Sequence, residues 1–453
     1  MSGNGAGLPA KVAERTRRIL GDAADLPDLI ALYHDLHKNP ELSGREVRTS
    51  ALVAGEFAAA GADVTTSVGQ TGVVAILSNG DGPRVMLRAD MDALPVQERT
   101  GLDYASTTIA DAPDGGRVPV MHACGHDVHM AALVGTVRAL ARHRDQWRGT
   151  IMAVAQPAEE TAEGAAAMLH DRLFERFGRP DVALAQHVDA FGTGQVGHKA
   201  GLFASGALNV DITIRGRGGH GASPDACVDP IVVACFTVLR LQTVVASELG
   251  PDEPAVLTVG MLRAGAKANV IPDEARLAVN LRFQSDRTRK NLLDAIGRIV
   301  TAECRSARCP EDPEIRTSSY FPVTRNDEGA TAAVRGVHEE LFGAPNVLEL
   351  PVSMGSEDFS FFGIPDPDHG YGGPPVPYCY WEFGGHPARA WEKAAGDTFA
   401  EKIRQLPGCH SARFGPEPGS AIRTGLVALT GAALAFLRPA DPTEAADEHA
   451  GPA

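Results

Sequence analysis

The chain has 453 residues, of which 44% are hydrophobic and 22% are charged, and its formal net charge is -15. This length exceeds that of one ordinary domain and predicts two or three domains, while the composition is typical of a globular protein. The negative charge argues against nucleic acid or an anionic membrane as the main partner.

The apolar runs and the cysteines bear on where the protein works. The longest uninterrupted apolar runs, such as residues 231–239, fall short of the roughly 20 residues that a spanning helix needs. Residues 1–9 are rich in glycine and lack the basic and then apolar pattern of a signal peptide. The chain has seven cysteines, and an odd number in a long chain favours reduced thiols over a disulfide framework. Cys304 and Cys309 would form a disulfide only in an exported protein. These features predict a cytoplasmic protein without membrane contact.

Helices and strands alternate in the first part of the chain. Apolar spacing and glycine stops predict helices at residues 14–33, 50–61 and 128–142. Short β-branched or apolar runs predict strands at residues 72–77, 84–87 and 150–155. This order is typical of an α/β domain with an open sheet, in which functional side chains lie just beyond the strand ends.

The pattern changes near residue 201. A strand at 208–215, a helix at 229–249, strands at 256–262 and 274–283 and a helix at 289–304 follow one another. This β-α-β-β-α order predicts a small α+β domain inserted into the first. The α/β pattern then resumes and closes with a helix at 420–437. The predicted division is 1–201 and 318–437 for the larger domain, 202–317 for the inserted domain and 438–453 for a disordered tail.

Residues 121–129, with the sequence MHACGHDVH, carry the strongest chemical signal in the chain. They place a thiol, Cys124, two residues before an imidazole, His126. The acidic pair Glu159 and Glu160 follows the predicted strand at 150–155, and His187 follows another apolar segment. Thiolate, imidazole and carboxylate are ligands of borderline divalent metals. Adjacent carboxylates divide naturally into one metal ligand and one base, which predicts a hydrolytic metal centre.

Several weaker signals each allow a plain structural interpretation as well. Asp90 and Asp92 close the strand at 84–87 and form either a polar turn or the carboxylates that orient a metal-bound histidine. The glycines of residues 216–222 form either a structural turn or a turn that presents His220. Asn269 offers an amide and Arg282 a bidentate grip on a carboxylate, although each alone would be an ordinary surface residue.

Taken together, these motifs resemble a known family. The segments are 87–95 (LRADMDALP), 121–129, 156–160 (QPAEE), the surroundings of His220, 269–273 (NVIPD) and 354–359 (MGSEDF). They resemble the metallo-aminoacylase and carboxypeptidase family, peptidase family M-twenty, in the branch of hippurate and indole-acetyl-amino-acid hydrolases. The resemblance runs from about residue 30 to 437 and specifies the family, but not the substrate.

The resemblance implies a zinc-peptidase-like catalytic domain, with an open and mostly parallel sheet flanked by helices, and an inserted α+β lid or dimerisation domain. It implies two divalent ions per subunit, Mn, Zn, Co or Ni, and a homodimer formed through the inserted domain. By motif match the metal ligands are Cys124, His126, Glu160, His187 and His410. Glu159 is the general base, Asp92 and His220 support catalysis, and Asn269 and Arg282 hold the substrate carboxylate.

The implied activity is hydrolysis of the amide bond of an N-acyl amino acid or a related small molecule. Metal-activated water would attack the amide while Glu159 carries the proton to the leaving amine and His220 supports the oxyanion. One alternative is a dipeptidase or carboxypeptidase of the same family. Another is a non-catalytic ligand-binding relative, against which the intact Glu159–Glu160 pair argues. Residues 106–118, 264–268 and 366–405 depart from the family pattern, and the first and last of these would reshape the acyl pocket.

Overall fold

The computed structural model describes residues 7–21, 25–112, 115–365 and 372–440. Within these ranges the helices are α1 (Leu8–Leu20), α2 (Leu26–Lys38), α3 (Val47–Ala59), α4 (His126–Arg142), α5 (Gly164–His170), α6 (Leu173–Phe177), α7 (Pro230–Ser247), α8 (Asp286–Ser306), α9 (Glu328–Phe342), α10 (Ala388–Lys393), α11 (Phe399–Ile403) and α12 (Pro418–Phe436). The strands are β1 (Asp63–Val68), β2 (Gly72–Asn79), β3 (Arg84–Asp90), β4 (Ile109–Asp111), β5 (Arg117–Pro119), β6 (Gly149–Gln156), β7 (Val182–Gly192), β8 (Val196–His198), β9 (Gly201–Ala204), β10 (Gly206–Arg215), β11 (Gly219–His220), β12 (Ala255–Ala264), β13 (Val270–Ile271), β14 (Glu274–Phe283), β15 (Glu314–Phe321), β16 (Thr324–Asn326), β17 (Val347–Glu349) and β18 (Tyr378–His386).

The chain divides into two compact units. The first contains the described parts of Met1–Gly201, Asn326–Pro351 and Asp358–Ala453, and the second contains Leu202–Arg325 and Val352–Glu357. The predicted inserted segment, 202–317, ends inside β15, and the second unit continues to Arg325 because β15 pairs with β10. Most of the predicted disordered tail, from residue 441 onward, lies outside the described residues.

An eight-stranded sheet forms the centre of the first unit, in the order β1-β2-β6-β3-β7-β18-β8-β17. Its central neighbours β6, β3, β7 and β18 run parallel, whereas β1, β2 and β8 each have antiparallel pairings. The central strands are continuous apolar runs because helices cover both faces of such a sheet. The predicted α/β fold with an open and mostly parallel sheet is therefore confirmed.

Helix α4 carries the strongest motif into the core of the first unit. Fourteen of its residues are buried, beginning with His126 and Asp127, and its apolar side chains join the same hydrophobic cluster as those of α12. A helix that is apolar nearly all round belongs in a core. The first turn of α4 therefore holds its polar side chains inside the protein, at the edge of the sheet.

Some predicted local elements differ from the observed ones. The single helix predicted at 14–33 is wrong: α1 ends at Gly21, which has a φ of +48°, and α2 begins afresh at Leu26 with a proline in its first turn. Glycine permits this conformation at little cost, and proline favours a helix start. The short antiparallel pair β4–β5 begins in the atypical segment at 106–118 and ends one residue beyond it, at Pro119. Residues 387–405 contain α10 and α11, while 366–371 lie outside the described residues.

The second unit is a four-stranded antiparallel sheet in the order β12-β14-β10-β15, packed against α7 and α8. Strands β10 and β14 pair without a break from Gly206↔Phe283 to Arg215↔Glu274. Along β10 the buried residues alternate with more exposed ones, as expected for a strand with one covered face. The predicted β-α-β-β-α order is present in β10, α7, β12, β14 and α8.

Among the described residues, two helices are long and apolar enough to cross a membrane by length and composition, although no uninterrupted apolar run in the sequence is that long. They are α7 and α12. Two thirds of the α12 window, 67%, is buried inside the protein, as in a core helix, but only 33% of the α7 window is buried. The exposed side of α7 therefore needs a separate explanation.

Candidate metal centre

The predicted ligands of the first unit meet beyond the carboxyl ends of its parallel strands. β3 ends at Asp90, β6 ends at Gln156 shortly before the acidic pair, and His187 lies on β7. The pairing of β3 with β7 stops at Arg88↔Ala185, so His187 lies beyond the last residues that pair with β3, while it still pairs with Glu382 of β18. Functional groups collect at this edge of an open α/β sheet.

A tight turn brings Cys124 and His126 to this edge. Gly125, between them, has a φ of +80°, and a Cβ atom there would lie 2.3 Å from Cγ1 of Val188. Only glycine combines this backbone conformation with so close an approach. The Cys-Gly-His spacing is thus fixed by the backbone, and it places the thiol and the imidazole on the same side of the turn.

His126 is oriented by Asp92. Its Nδ1 donates to the backbone oxygen of Asp92 at 2.8 Å and lies 3.2 Å from the Asp92 carboxylate. Its Nε2 therefore faces the other way, 3.9 Å from Oε1 of Glu160 and 3.7 Å from Oδ2 of Asp90. Both His126 Nε2 and Glu160 Oε1 are buried without a hydrogen-bond partner. Buried polar atoms almost always have partners, so this pair of lone-pair donors fits a bound cation.

His187 and Cys124 form the neighbouring part of the site. Nδ1 of His187 donates to the backbone oxygen of Val188 at 2.7 Å, which leaves Nε2 as the lone-pair nitrogen. That Nε2 lies 3.4 Å from Sγ of Cys124. The ligand atoms of Cys124, His126 and Glu160 lie within 4.8 Å of one another. A thiol, imidazoles and a carboxylate at this spacing suit Zn and similar divalent ions.

The acidic pair is held by a short turn after β6. Ala158, with a φ of +49°, donates its N–H to Oε1 of Glu46, and Glu160 donates its N–H to Oδ2 of Asp92 at 2.9 Å. The side chain of Glu160 faces His126, while Glu159 is only 6% exposed. Glu160 therefore belongs to the cluster with Cys124 and His126, whereas the Glu159 carboxylate lies within 4.8 Å of that of Asp358.

His410 reaches the same site from the last part of the chain. Its Nε2 lies 3.3 Å from Oε2 of Glu160, and its backbone N–H donates to the oxygen of Ala123 at 2.7 Å. The residue has a φ of +68°, a conformation that is uncommon outside glycine but that histidine adopts more often than most residues. Unlike the other ligand candidates its side chain is exposed, at 57%, so His410 lies on the open side of the site.

His129 belongs to the motif but serves as a support. Its Nδ1 donates to Oδ1 of Asp90 at 2.6 Å, and its Nε2 accepts the N–H of Val188 at 2.8 Å. Although Asp90, His126, His129 and His187 are close enough to hold an ion, both ring nitrogens of His129 are already engaged. Hydrogen bonds of this kind fix the groups around a metal ligand.

A buried arginine holds the Asp90 carboxylate in place. Arg88 is 1% exposed and forms ion pairs with Asp90 at 2.6 Å and with Asp358 at 3.1 Å. Asp358 also accepts hydrogen bonds from the side chain of Gln156. A buried charge needs such compensation. Asp90 and Asp358, which come from two of the quoted motifs, are therefore joined through Arg88.

The electrostatics of the site favour positive charge. Burial alone would lower the pKa of His126, yet Asp90 and Asp92 raise it to about 10. Burial likewise opposes charge on His187, but its contact with Cys409 raises the pKa to about 9. In His129 the effect of burial is larger than that of the neighbouring Asp90 carboxylate, and it lowers the pKa to about 3. Carboxylates that draw a proton onto His126 would equally favour a cation at its Nε2.

The other predicted site residues lie in the second unit. His220 is exposed on β11, which pairs with β13, and its Nδ1 accepts the N–H of Ala222 at 3.0 Å. Asn269 is exposed, and its backbone oxygen accepts the N–H of Gly221. Arg282 is half-buried on β14 and donates to Oγ of Ser356 at 2.8 Å. His220 and Asn269 are thus neighbours, whereas Arg282 lies on the sheet.

The sequence interpretation missed some contributors. Arg88 and Asp358 lie inside the quoted motifs, and a charged residue within an apolar strand is a usable signal for the first of them. Cys409 precedes His410 and contacts both Cys124 and His187. Nothing in the spacing of the cysteines indicates this contact, since residues 124 and 409 meet only in the folded chain.

The sheet and the cluster at its edge define a metal-dependent hydrolase. A family model described as peptidase family M20/M25/M40 matches residues 86–380, and the chain belongs to this family. The resemblance seen in the motifs is therefore confirmed. The chain is a metal-dependent amidohydrolase of this family, as those motifs predicted.

Named relatives differ in what they act on. The chain is 36% identical over 336 residues to hippurate hydrolase of Campylobacter jejuni, covering 73% of this chain and 84% of that protein. It is 32% identical over 342 residues to N-acetyl-L-cysteine deacetylase of Bacillus subtilis, covering 74% and 77%. Among solved structures, the Bacillus subtilis YXEP protein, a dinuclear metal binding peptidase from the M20 family, superposes with a TM-score of 0.69 at 25% identity, covering 91% and 98%.

Proposed function

We propose that the chain hydrolyses the amide bond of small N-acyl amino acids, with a two-metal centre in the first unit. One observation supports this proposal most directly: His126 Nε2 and Glu160 Oε1 are buried, have no hydrogen-bond partner and lie 3.9 Å apart. Cys124 and His187 lie beside them. The proposed ligands are Cys124, His126, Glu160, His187 and His410. Two divalent ions there would lower the pKa of a water molecule and polarise the amide carbonyl.

The remaining groups have proposed roles in moving protons and orienting the reactants. Glu159 accepts a proton from the attacking water and returns it to the leaving amine, which is why it must not be a ligand. Asp92 keeps His126 in the tautomer that presents Nε2. His220 supports the oxyanion, and Asn269 and Arg282 hold the substrate carboxylate; these three roles come from the family resemblance.

A homodimer formed through the second unit is part of the proposal. Along α7, Val232, Phe236 and Leu239 are 50%, 57% and 66% exposed, and they lie on one face of the helix. The neighbouring β12 is the edge strand of its sheet and exposes Val256 and Leu262. An apolar helix face beside an open sheet edge suits a self-complementary contact with a second copy.

The activity is tested with purified protein stripped of metal and reloaded separately with Zn, Mn, Co and Ni. Amine release is followed by mass spectrometry on N-acetyl, N-benzoyl and indole-acetyl amino acids, aminobenzoyl-glutamate and simple dipeptides. Cleavage of the acylated amino acids is expected. Cleavage of free dipeptides alone would replace this proposal by the dipeptidase alternative. Tight binding of amides without turnover in the fully loaded protein would instead support a non-catalytic relative.

A further inference from the structure

Cys409 places a second thiol against the candidate metal centre. Sγ of Cys124 lies 3.4 Å from Nε2 of His187, and the Cys409 side chain interacts with both of these groups. Sγ of Cys409 lies 3.5 Å from the backbone oxygen of Val188 and 3.9 Å from Oδ1 of Asp189. The sulfur of a proposed metal ligand therefore has another cysteine sulfur as its direct neighbour.

The backbone keeps the two cysteines together. The N–H of His410 donates to the oxygen of Ala123 at 2.7 Å, so the residues that flank this hydrogen bond are Cys124 and Cys409. The segment before Cys409 is also anchored, because Nε2 of His386 donates to the oxygen of Pro407 at 2.8 Å. Two reacting groups held in contact by a fixed backbone react far faster than the same groups free in solution.

We propose that Cys124 and Cys409 are a site of reversible oxidation, at which a hydroperoxide converts the metal-free pair into a disulfide. One sulfur attacks the hydroperoxide oxygen, breaks the O–O bond, becomes a sulfenic acid and releases an alcohol, or water from hydrogen peroxide. The second sulfur attacks the sulfenic sulfur, the S–S bond forms and water leaves with the remaining thiol proton. The sulfurs lose two electrons and the peroxide gains them.

The consequence for the metal centre rests on the proposed role of Cys124 as a ligand. A disulfide sulfur is no longer a thiolate, so the oxidised chain would lose a ligand. A bound ion would in turn occupy the Cys124 sulfur and slow the oxidation. A dithiol reductant would reverse the disulfide by exchange and restore the ligand. Oxidation and metal loss would then reinforce each other, while reduction would allow the metal to return.

Peptide mapping tests the disulfide directly. The full-length chain, stripped of metal by a chelator, is treated with hydrogen peroxide, alkylated and digested with trypsin without reduction. The expected product joins residues 118–138 to residues 405–413 and is two hydrogen atoms lighter than the two free peptides. The cysteine pair Cys304 and Cys309, which also lie in contact, is removed beforehand with Cys304→Ser and Cys309→Ser. Zinc-loaded protein is expected to form this product much more slowly.

Two variants and a metal titration separate the possible outcomes. In Cys409→Ser the linked peptide is absent and zinc uptake after peroxide is not restored by dithiothreitol, because Cys124 alone oxidises further. Cys235→Ser, at an exposed position in the second unit, behaves like the parent chain. Oxygen added to Cys124 without any link, or equally fast linking with zinc bound, would overturn the proposal. Linking that leaves zinc uptake unchanged would refute Cys124 as a ligand but not the disulfide.

Discussion

At the scale of single residues, the candidate centre depends on which atoms are already used by the protein. In His126 and His187, Nδ1 donates a hydrogen bond to a backbone oxygen, and Nε2 remains available to a metal ion. In His129 both ring nitrogens form hydrogen bonds within the protein. Neighbouring histidines of one motif therefore take different roles. Removing a group that orients a ligand has a different effect from removing a group that moves a proton, and two variants distinguish these cases.

Glu159→Gln is expected to retain both metal ions and to lose turnover by roughly 100- to 10,000-fold, since an amide cannot accept the proton of the attacking water. The measurements are metal content by elemental analysis and the initial rate on the best acylated amino acid. Glu163→Gln, an exposed neighbour in the same segment, is the matched control and should stay active. Near-normal turnover of Glu159→Gln would exclude the general-base role.

Asp92→Asn should act on the metal rather than on the chemical step. The Asp92 carboxylate accepts from Ser43 Oγ at 2.6 Å and from the Glu160 N–H at 2.9 Å, and it lies 3.2 Å from His126 Nδ1. The variant is expected to bind zinc about 10- to 100-fold more weakly. A chelator competition assay measures this affinity, and saturating metal should recover most of the rate. Unchanged affinity would contradict an orienting role.

At the scale of helices and strands, local patterns were sufficient for some elements but not for others. The apolar runs predicted β3 and β6 with small errors at their ends, because such runs have few alternatives in an α/β sheet. The break between α1 and α2 was missed because the apolar spacing continues across it, although Gly21 is a stop signal. The ligands close in sequence were found from their spacing, whereas His410 depended on family resemblance, since its contact with Ala123 exists only after folding.

The contact between β8 and α9 contains a buried histidine pair that makes stability depend on pH. His198 Nε2 lies 2.8 Å from His338 Nδ1, and His338 Nε2 donates to the oxygen of Ala428. Burial lowers the pKa of His338 to about 4 and that of His198 well below its usual value. An unfolded histidine has a pKa of about 6.5. Below that pH the unfolded chain binds more protons, so stability falls as the pH falls towards 4.

The loss is expected to be about 2 kcal/mol between pH 7 and pH 5 for one such histidine. Urea unfolding of the metal-free chain at both pH values measures it. His338→Gln should reduce the difference between the two pH values, because the amide does not titrate. His170→Gln, at an exposed position, should leave the difference as in the parent chain. An unchanged pH dependence in His338→Gln would exclude the pair as its source.

At the scale of the whole molecule, the two units pose different physical problems. The first unit buries its long apolar helix α12, whereas the second leaves most of α7 uncovered, with only 33% of its apolar window buried. Large apolar patches on a soluble surface usually mark an interaction site. The second copy of the chain that we propose would also account for the open edge of β12, since antiparallel pairing of the two edges would satisfy both.

Phe236→Glu is therefore expected to convert a dimer into a monomer, because the carboxylate would be buried without a partner at the contact. Size-exclusion chromatography with light scattering should give about twice the 47.6 kDa chain mass for the parent protein and the single mass for the variant. Asn291→Glu adds the same charge at an exposed position on α8 and should remain dimeric. Circular dichroism confirms that each variant is folded. A parent protein that is monomeric at micromolar concentration would rule out the α7 contact, and the apolar face would then require another partner.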